Sequence, residues 1–251
     1  MELKAISFNI RCCDDENGYS IEERAPRLKE VLSRYDYDLI GFQEYTPVWD
    51  KYITDHLGDE FEIFNKYRAK DSAESTPILW RKDKFECLDK GYFWLSDTPE
   101  VESKGWDELC DCHRICLYAI LRDKESNKIF TFMNTHFGFG DNGQMKSVNL
   151  IEEYSKKISS YPTFITGDFN MSPTTPAYAL MVEKFTDVNT VTTNDLRTTY
   201  HGYTPESITD AHIDFCFISK DISPVSQKII DDTVNGKFPS DHYGIYVEME
   251  I

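Results

Sequence analysis

The sequence predicts an α/β protein in which two mixed β-sheets pack face to face and helices flank them, a four-layer sandwich. Many short apolar runs of strand length are separated by polar turns, helix-like stretches are few, and the chain opens with a strand, a helix and a second strand. Many short strands with few helices favour two packed sheets over a single parallel sheet. No linker, low-complexity tract or internal repeat divides the 251 residues, so we expect one domain over 1–251.

The first part of the chain has the clearest order of elements. Residues 5–8 are predicted to be a strand that ends at Asn9, and apolar residues then recur at helical spacing from Ile21 to Tyr35. The next apolar run, 38–42, ends at Gln43-Glu44. This order is typical of a βαβ-like start in which each strand ends at a polar residue.

The rest of the chain alternates short apolar runs with turns. Runs such as 163–166 consist of β-branched and aromatic residues, which favour strands. The further strands predicted are 61–66, 78–81, 91–95, 115–121, 129–134, 163–166, 212–218, 224–230 and 244–250, and the further helices 49–57 and 145–159.

Polar residues stand where these predicted strands begin or end. Gly167 interrupts the run 163–166 and places Asp168 and Asn170 just beyond it. At the rim of a sheet, Asp168 could hold a water molecule or a metal ion, and Asn170 could donate to a developing negative charge. Asp and Asn also dominate turns for local reasons, so this stretch alone fits an ordinary turn equally well. Six strands in all carry such a residue at one end.

Charge and composition narrow the class of partner. The formal net charge is −17 and the longest runs of Lys and Arg are pairs, so the surface repels nucleic-acid backbones. We therefore expect a phosphorylated small molecule, a lipid headgroup or a short nucleotide as substrate, with duplex DNA less favoured. No apolar run is long enough to cross a bilayer. Seven cysteines, an odd number, and a start that lacks a secretory pattern predict reduced thiols and a cytoplasmic protein.

Six short strings identify a family resemblance. SFNIR, GFQE, NTHF, GDFN, HIDF and SDHYG occur in this order across nearly the whole chain. Together they resemble the motifs of the endonuclease/exonuclease/phosphatase superfamily. The phrase GYFWLSDTPE at 91–100 is similar to a bacterial branch related to the deadenylase/nocturnin-like group. The resemblance implies hydrolysis of a phosphodiester or phosphomonoester by in-line attack of an activated water, with Mg²⁺ (or Mn²⁺) as cofactor.

The resemblance also implies a role for each motif residue. The metal ligands it implies are Asn9, Glu44 and Asp241, and the catalytic residues are His136, Asp168, Asn170, Asp214 and His242. Carboxylate and amide oxygens suit a hard divalent cation. Asp168 would orient or deprotonate the water, and Asp214 would fix the tautomer of His242. The residues leave open whether Asp168 or His242 is the main base, and whether one or two metal ions bind.

Two further assignments rest on shorter matches. Arg114 stands where relatives hold an arginine that contacts phosphate, and Glu74 where some relatives place an acid that supports the histidine matching His136. An ordinary surface ion pair is an equally good interpretation of each. One departure affects specificity: many relatives follow the NTH motif with an Asp-His pair, but this chain has Gly138-Phe139 after Phe137.

The same sequence also allows a nuclease, a binding protein without activity, or a zinc site. A nuclease acting at abasic sites, or on other DNA or RNA, would need a basic rim assembled in three dimensions. A binding protein that keeps the fold without the activity would not need the full set of motif residues. The spacing Cys110-x-Cys112-His113 is a poor zinc pattern, because no CxxC pair and no second pair of ligands accompany it.

Overall fold

The computed structural model describes all residues, 1–251, as twelve strands and five helices. The strands are β1 (Glu2–Asn9), β2 (Leu39–Gln43), β3 (Phe61–Phe64), β4 (Ile78–Arg81), β5 (Phe85–Trp94), β6 (Ile115–Asp123), β7 (Ile129–His136), β8 (Thr163–Asp168), β9 (Thr186–Asp187), β10 (Asp214–Ile218), β11 (Ser223–Ile230) and β12 (Gly244–Glu250). The helices are α1 (Ile21–Leu32), α2 (Pro47–Leu57), α3 (Asp141–Ile158), α4 (Pro176–Lys184) and α5 (Val188–Val191).

The strands form two mixed six-stranded sheets. The first has the order β11-β12-β1-β2-β4-β3 and the second β5-β6-β7-β8-β10-β9. Each sheet has one parallel pair near its centre, β1 with β2 and β7 with β8, and the other pairs are antiparallel. The predicted sandwich of two packed mixed sheets with flanking helices is confirmed.

Three hydrophobic clusters hold the layers together. One cluster of 21 buried residues fills the space between the sheets, with Leu3 and Leu39 of the first sheet and Phe132 and Phe164 of the second among its members. A cluster of 18 packs α1 and α2 on the outer face of the first sheet, and another of 18 packs α3 and α4 on the outer face of the second. Each sheet is therefore buried on both faces, which explains the continuous apolar runs in its central strands.

The register of the strands collects polar residues at one edge of the sandwich. His136 and Asp214, on the neighbours of β8, both pair with Asp168, so three functional groups lie side by side across β7, β8 and β10. In the first sheet Asn9 pairs with Gln43 at the ends of β1 and β2, and the segment before β12 reaches the same edge because β12 runs antiparallel to β1.

A buried polar cluster joins the two sheets just behind this edge. Asn134 of β7 donates from Nδ2 to the carbonyl oxygens of Phe42 (2.7 Å) and Pro77 (3.1 Å). Its Oδ1 accepts from Gln43 Nε2 at 2.8 Å and from Thr166 Oγ1 at 3.0 Å. Gly41 is required opposite this cluster, because a Cβ there would lie 2.5 Å from Asn134 Oδ1. The hydrogen bonds fix the sheets relative to each other where the site forms.

The structure differs from the sequence prediction mainly at exposed elements. The strand expected at 91–95 begins already at Phe85, because several charged residues and a bulge between Cys87 and Asp89 hide the alternation of this edge strand. Helix α4 was not predicted; it begins with the Thr175 side chain accepting from the backbone N–H of Tyr178. None of the five helices combines the length and apolar character needed to cross a bilayer.

Candidate active site

A cavity of about 560 Å³ opens at the edge where the polar strand ends meet. Eight of the ten residues singled out from the sequence line it: Glu44, Glu74, Arg114, His136, Asp168, Asn170, Asp241 and His242. The other two, Asn9 and Asp214, are hydrogen-bonded to lining residues. A second groove of about 400 Å³ lies between α1 and α2 and contains none of these ten. The volume of the first cavity is typical of a small-molecule site.

Asn9 links the two sheets at the centre of the cavity. Its Nδ2 donates to Glu44 Oε1 at 3.0 Å and to Asp168 Oδ2 at 2.9 Å. The amide hydrogens of Asn9 thus occupy the space between two carboxylates that come from different sheets. The two carboxylates favour positive charge in the space between them, so a cation would be stabilised at the same position.

Asp168 and His242 are buried together with Asp214. His242 Nδ1 lies 3.0 Å from Asp214 Oδ2, and its Nε2 lies 3.8 Å from Asp168 Oδ2. Burial opposes the charge on His242, but the hydrogen bond to Asp214 and the negative charges of Asp214 and Asp168 raise the pKa of His242 to about 10. Burial and the charge of Asp214 raise the pKa of Asp168 to about 7. A carboxylate with this pKa is suited to take a proton near neutral pH.

Asn170 orients His136 at the other side of Asp168. The Asn170 Nδ2 donates to the carbonyl oxygen of Phe137 at 2.9 Å and lies 3.0 Å from His136 Nε2. The contact with Phe137 fixes the orientation of the amide, so Nε2 of His136 accepts and Nδ1 carries the proton. Burial and the charge of Arg114 hold the pKa of His136 well below its usual value, which favours the neutral ring. Its Nδ1 makes no hydrogen bond within the protein.

Glu44 is held in an unusual backbone conformation just beyond β2. Its φ is +58°, in the left-handed region, and Arg11 (+61°) and Asn170 (+48°) share this feature. Such conformations cost roughly 1–3 kcal/mol each outside glycine and are concentrated at functional sites. The backbone N–H of Cys12 donates to Glu44 Oε2 at 2.9 Å. Burial raises the pKa of Glu44, but positive charge on His136, the Cys12 amide and His242 outweigh it and lower the pKa to about 2. At neutral pH, where His136 is uncharged, the Cys12 amide and the His242 imidazolium favour the carboxylate.

Glu74 and Arg114 are placed differently from each other. Arg114 donates from Nε and Nη2 to Asp107 Oδ2 and faces the cavity. We expected Glu74 to support His136; instead its Oε1 accepts from Arg68 Nη2 at 2.6 Å, and the hydrogen-bonding partner of His136 is Asn170. Glu74 does so because Arg68 lies on the same short loop, directly opposite it, where Arg68 N also donates to Glu74 O.

Several cavity residues were not predicted from the sequence. Arg11 lies 3.6 Å from Asp241 Oδ2 and 4.0 Å from Glu44 Oε2, and its place as the last residue of the string SFNIR is the sequence signal that marks it. Arg68 stands in a loop without any motif, so no sequence signal marked it. Phe139, part of the departure after NTH, and Tyr200 form apolar parts of the wall.

The donor set fits a hard divalent cation. Glu44, whose pKa is low, and Asp241 offer carboxylate oxygens, and Asn9 offers an amide beside them. A second group of possible ligands, Asp168, Asp214 and His242, is buried with its ligand atoms within 4.8 Å of one another. In that group the His242 nitrogen already bonds Asp214, so it would have to lose a proton before binding a metal. No group of cysteine ligands accompanies Cys110 and Cys112, so the zinc interpretation has no support.

Known proteins resemble this chain in sequence and in fold. A family model described as the Endonuclease/Exonuclease/phosphatase family matches residues 6–242. A protein of that family from Bacteroides thetaiotaomicron superposes with a TM-score of 0.91 at 29% identity, covering 99% of this chain and 97% of that one. A mannosyl-6-phosphatase from the same species has a TM-score of 0.91 at 28% identity, covering 99% and 100% of the two chains.

More distant comparisons agree on the fold. The human nocturnin catalytic domain superposes with a TM-score of 0.77 at 14% identity, over 99% of this chain and 93% of that one, which shows a shared fold alone. The chain aligns with 29% to 60% of the length of the curated relatives it matches. With the six strings, the two-sheet fold and the family match in agreement, the chain belongs to the endonuclease/exonuclease/phosphatase family, a family of phosphoester hydrolases.

Proposed function

We propose that residues 1–251 form one catalytic domain that hydrolyses a small phosphorylated compound, using a divalent metal ion, by in-line attack of water on phosphorus. One observation carries the proposal: ten polar residues from both sheets converge on one cavity, with the Asp168 carboxylate at their centre. Mg²⁺, with Mn²⁺ as a substitute, is the cation that these oxygen donors favour.

Asp168 is the general base in this proposal. Its pKa of about 7 lets the carboxylate accept a proton from water at neutral pH. His242, with a pKa of about 10, is protonated at the same pH and is therefore unsuited to be the base. Asp214 holds His242 in place through Nδ1, and the imidazolium stabilises negative charge near Asp168.

The phosphoryl oxygens are held on the His136 side of the cavity. The neutral His136 ring can donate from Nδ1, which has no partner in the protein, and the positive charge of Arg114 faces the same space. Both amide hydrogens of Asn170 are engaged by Phe137 and His136, so Asn170 acts on the substrate by orienting His136. This replaces the direct donation expected from the sequence.

Glu44, Asp241 and Asn9 would hold the metal ion. When bound, a divalent cation supplies positive charge that polarises the phosphoryl group and favours ionisation of water. Glu44 is ionised across the physiological range because its pKa is about 2. Asn9 would coordinate the ion through its side-chain Oδ1, which now accepts from the backbone N–H of Arg11 at 3.1 Å.

The surroundings of the site support a small substrate in a reducing compartment. The net charge of −17 disfavours long nucleic acids, and the mannosyl-6-phosphatase shows that a protein of closely similar fold acts on a phosphorylated sugar. All seven cysteines are free, which suits the cytoplasm.

The test is metal-dependent hydrolysis by the purified protein. With Mg²⁺ or Mn²⁺ it should cleave an aryl phosphomonoester or phosphodiester, and EDTA should abolish the reaction. Asp168→Asn and His242→Ala should each lower kcat by about 10²–10⁴-fold, the usual loss when a proton-transfer group is removed.

Asp187→Asn is the matched control, because Asp187 is also a buried carboxylate of the second sheet but lies away from the cavity. This variant should keep the wild-type kcat. Folded Asp168→Asn and His242→Ala proteins with unchanged rates would refute the mechanism. A wild-type protein that neither hydrolyses these esters nor binds Mg²⁺ at millimolar concentration would favour the catalytically silent binding protein.

A further inference from the structure

Two buried arginines face the cavity with one end free. The side chains of Arg68 and Arg114 are only 10% and 6% exposed. Both line the cavity beside His136. A guanidinium group taken out of water is costly unless its hydrogens find acceptors, so the surroundings of each group decide what it can bind.

Each arginine is anchored from behind through the same two nitrogens. Arg68 donates from Nε to Ser72 Oγ at 3.0 Å and from Nη2 to Glu74 Oε1 at 2.6 Å. Arg114 donates from Nε and Nη2 to Asp107 Oδ2 at 3.2 and 3.0 Å. In both residues Nη1 makes no hydrogen bond within the protein. The anchors hold the two forks still and leave their Nη1 donors for a ligand.

A second, much smaller pocket adjoins these two residues. Arg68, Arg114 and His136 also line a void of only about 10 Å³, bounded by Thr76 and Ile115. A void of that size holds about one water molecule and no substituent. An ester substituent of a phosphate bound between the arginines and His136 does not fit into this small pocket, whereas the main cavity of about 560 Å³ has room for the rest of the molecule.

We propose that Arg68 and Arg114 together bind the oxygens of a terminal phosphate, and that the enzyme is a phosphomonoesterase. This inference rests on the proposed function of the site. A phosphomonoester carries about −1.5 to −2 charges at neutral pH and fits two positive groups, whereas a diester carries a single charge. In a diester one of the three equatorial oxygens also bears carbon, and the small pocket beside the two arginines has no room for that group.

The reaction balances as a simple hydrolysis. The oxygen of water forms a bond to phosphorus while the ester P–O bond breaks, and the electron pair of that bond goes to the leaving alkoxide. One proton of the water passes through Asp168 and ends on the alcohol. The products are the free alcohol and inorganic phosphate, whose oxygens stay opposite the two arginines until release.

The experiment compares a phosphomonoester with a diester of the same leaving group. We would measure kcat and KM of the wild-type protein with Mg²⁺ on aryl phosphate and on methyl aryl phosphate at pH 8, where the monoester is a dianion. The monoester should have the higher kcat/KM. Arg68→Gln should raise KM for the monoester about tenfold or more, the loss of one charged hydrogen bond, and change the diester less than threefold.

Two comparisons separate binding from folding. Arg68→Lys keeps the positive charge but not the planar fork, and should lie between wild type and Arg68→Gln. Arg122→Gln removes a partly exposed arginine of β6 that pairs with Glu86, far from the cavity, and should leave all constants unchanged. Competition by inorganic phosphate and by dimethyl phosphate on the wild-type protein needs no variant at all; phosphate should inhibit at about tenfold lower concentration.

The outcomes distinguish the two proposals. Hydrolysis of the diester with equal or higher kcat/KM, or inhibition by dimethyl phosphate as strong as by phosphate, would overturn the monoester inference and leave the phosphoesterase intact. An equal loss on both esters in folded Arg68→Gln would do the same. If neither ester were hydrolysed with any metal, the proposed function would fail, and calorimetric titration of inorganic phosphate into wild type and Arg68→Gln would still test the arginine pair.

Discussion

His201 is a buried histidine that the fold keeps uncharged. Its Nδ1 accepts from the backbone N–H of Tyr203 at 3.1 Å, and its Nε2 is buried without a partner. Burial therefore lowers the pKa of His201 to about 4. A second proton would break the bond from Tyr203 and place a charge among the rings of Phe238 and Tyr243.

This arrangement predicts how stability changes with pH. Between about pH 6.5 and 4 the unfolded state binds a proton at His201 that the folded state does not, so the free energy of unfolding falls as the pH is lowered. The lowered pKa corresponds to a loss of roughly 3 kcal/mol in the free energy of unfolding by the pH at which His201 is protonated in both states. Urea unfolding at a series of pH values measures it.

His201→Gln is the comparison that isolates this residue, because His136 is also held neutral and contributes to the same slope. The difference in unfolding free energy between wild type and His201→Gln should shrink or reverse in favour of the variant as the pH falls from 6.5 to 4. A difference that stays constant over this range would show that His201 titrates normally.

At the scale of residues, the sequence identifies the motif residues more readily than the groups that those residues contact in the fold. The polar ends of the strands, such as Asn9 and Asp168, are visible because they interrupt apolar runs. Arg68 is not visible, because its loop has no period and its anchors Ser72 and Glu74 are defined only by the path of that loop. Orientation of single amides, as in Asn170, likewise depends on a carbonyl group that only the fold supplies.

Asn134 of strand β7 links the two sheets through several buried hydrogen bonds. Asn134→Leu should lower the free energy of unfolding by roughly 3 kcal/mol or more, because it removes four buried hydrogen bonds. Chemical unfolding monitored by tryptophan fluorescence measures the change. We also expect lower kcat, since Gln43 and Phe42 directly precede Glu44.

Thr131→Val on the same strand is the matched control. Thr131 is equally buried but its side chain makes one hydrogen bond, to Ser159 on the far side of the sheet. This change should cost about 1 kcal/mol, within the range for a single hydrogen bond, and leave kcat unchanged. Equal costs for the two substitutions would contradict a special role of Asn134.

At the scale of elements, the spacing of apolar residues and the residue types were sufficient to predict a strand where one or both of its faces are buried. The strand expected at 244–250 matches β12, and the one at 78–81 matches β4. Sheet order and register were not accessible, because they depend on which distant strands pair. The meeting of His136 and Asp214 on either side of Asp168 is a fact of register. Only part of edge strand β5 was predicted, because its solvent-exposed residues do not show the alternation of apolar and polar residues that marks a strand.

The charge of the whole molecule gives a prediction about partners. At a net charge of −17, a short DNA duplex should bind with a dissociation constant weaker than about 10⁻⁴ M at physiological salt, the weak end of non-specific binding. Fluorescence anisotropy of a labelled duplex measures this dissociation constant, with a single-stranded oligonucleotide of the same length for comparison. Tight binding that weakens steeply with added salt would instead favour the nuclease.

For the molecule as a whole, the sandwich and the family could be inferred from the sequence because six motifs keep their order. The substrate could not, since it depends on side chains from loops, such as Arg68 and Phe139, whose shared cavity exists only after folding.

The hydrogen bonds of Asn9 to Asp168 and of Asn134 to Phe42 both run from one layer to the other. A slide of one layer by about an ångström would thus misalign the reacting groups together, and errors of that size can cost about a hundredfold in rate. Substitutions deep in the interior, remote from any bound molecule, can therefore retune catalysis. The side chains packed between the two sheets are therefore positions at which selection can change the reaction rate without changing any contact to the substrate.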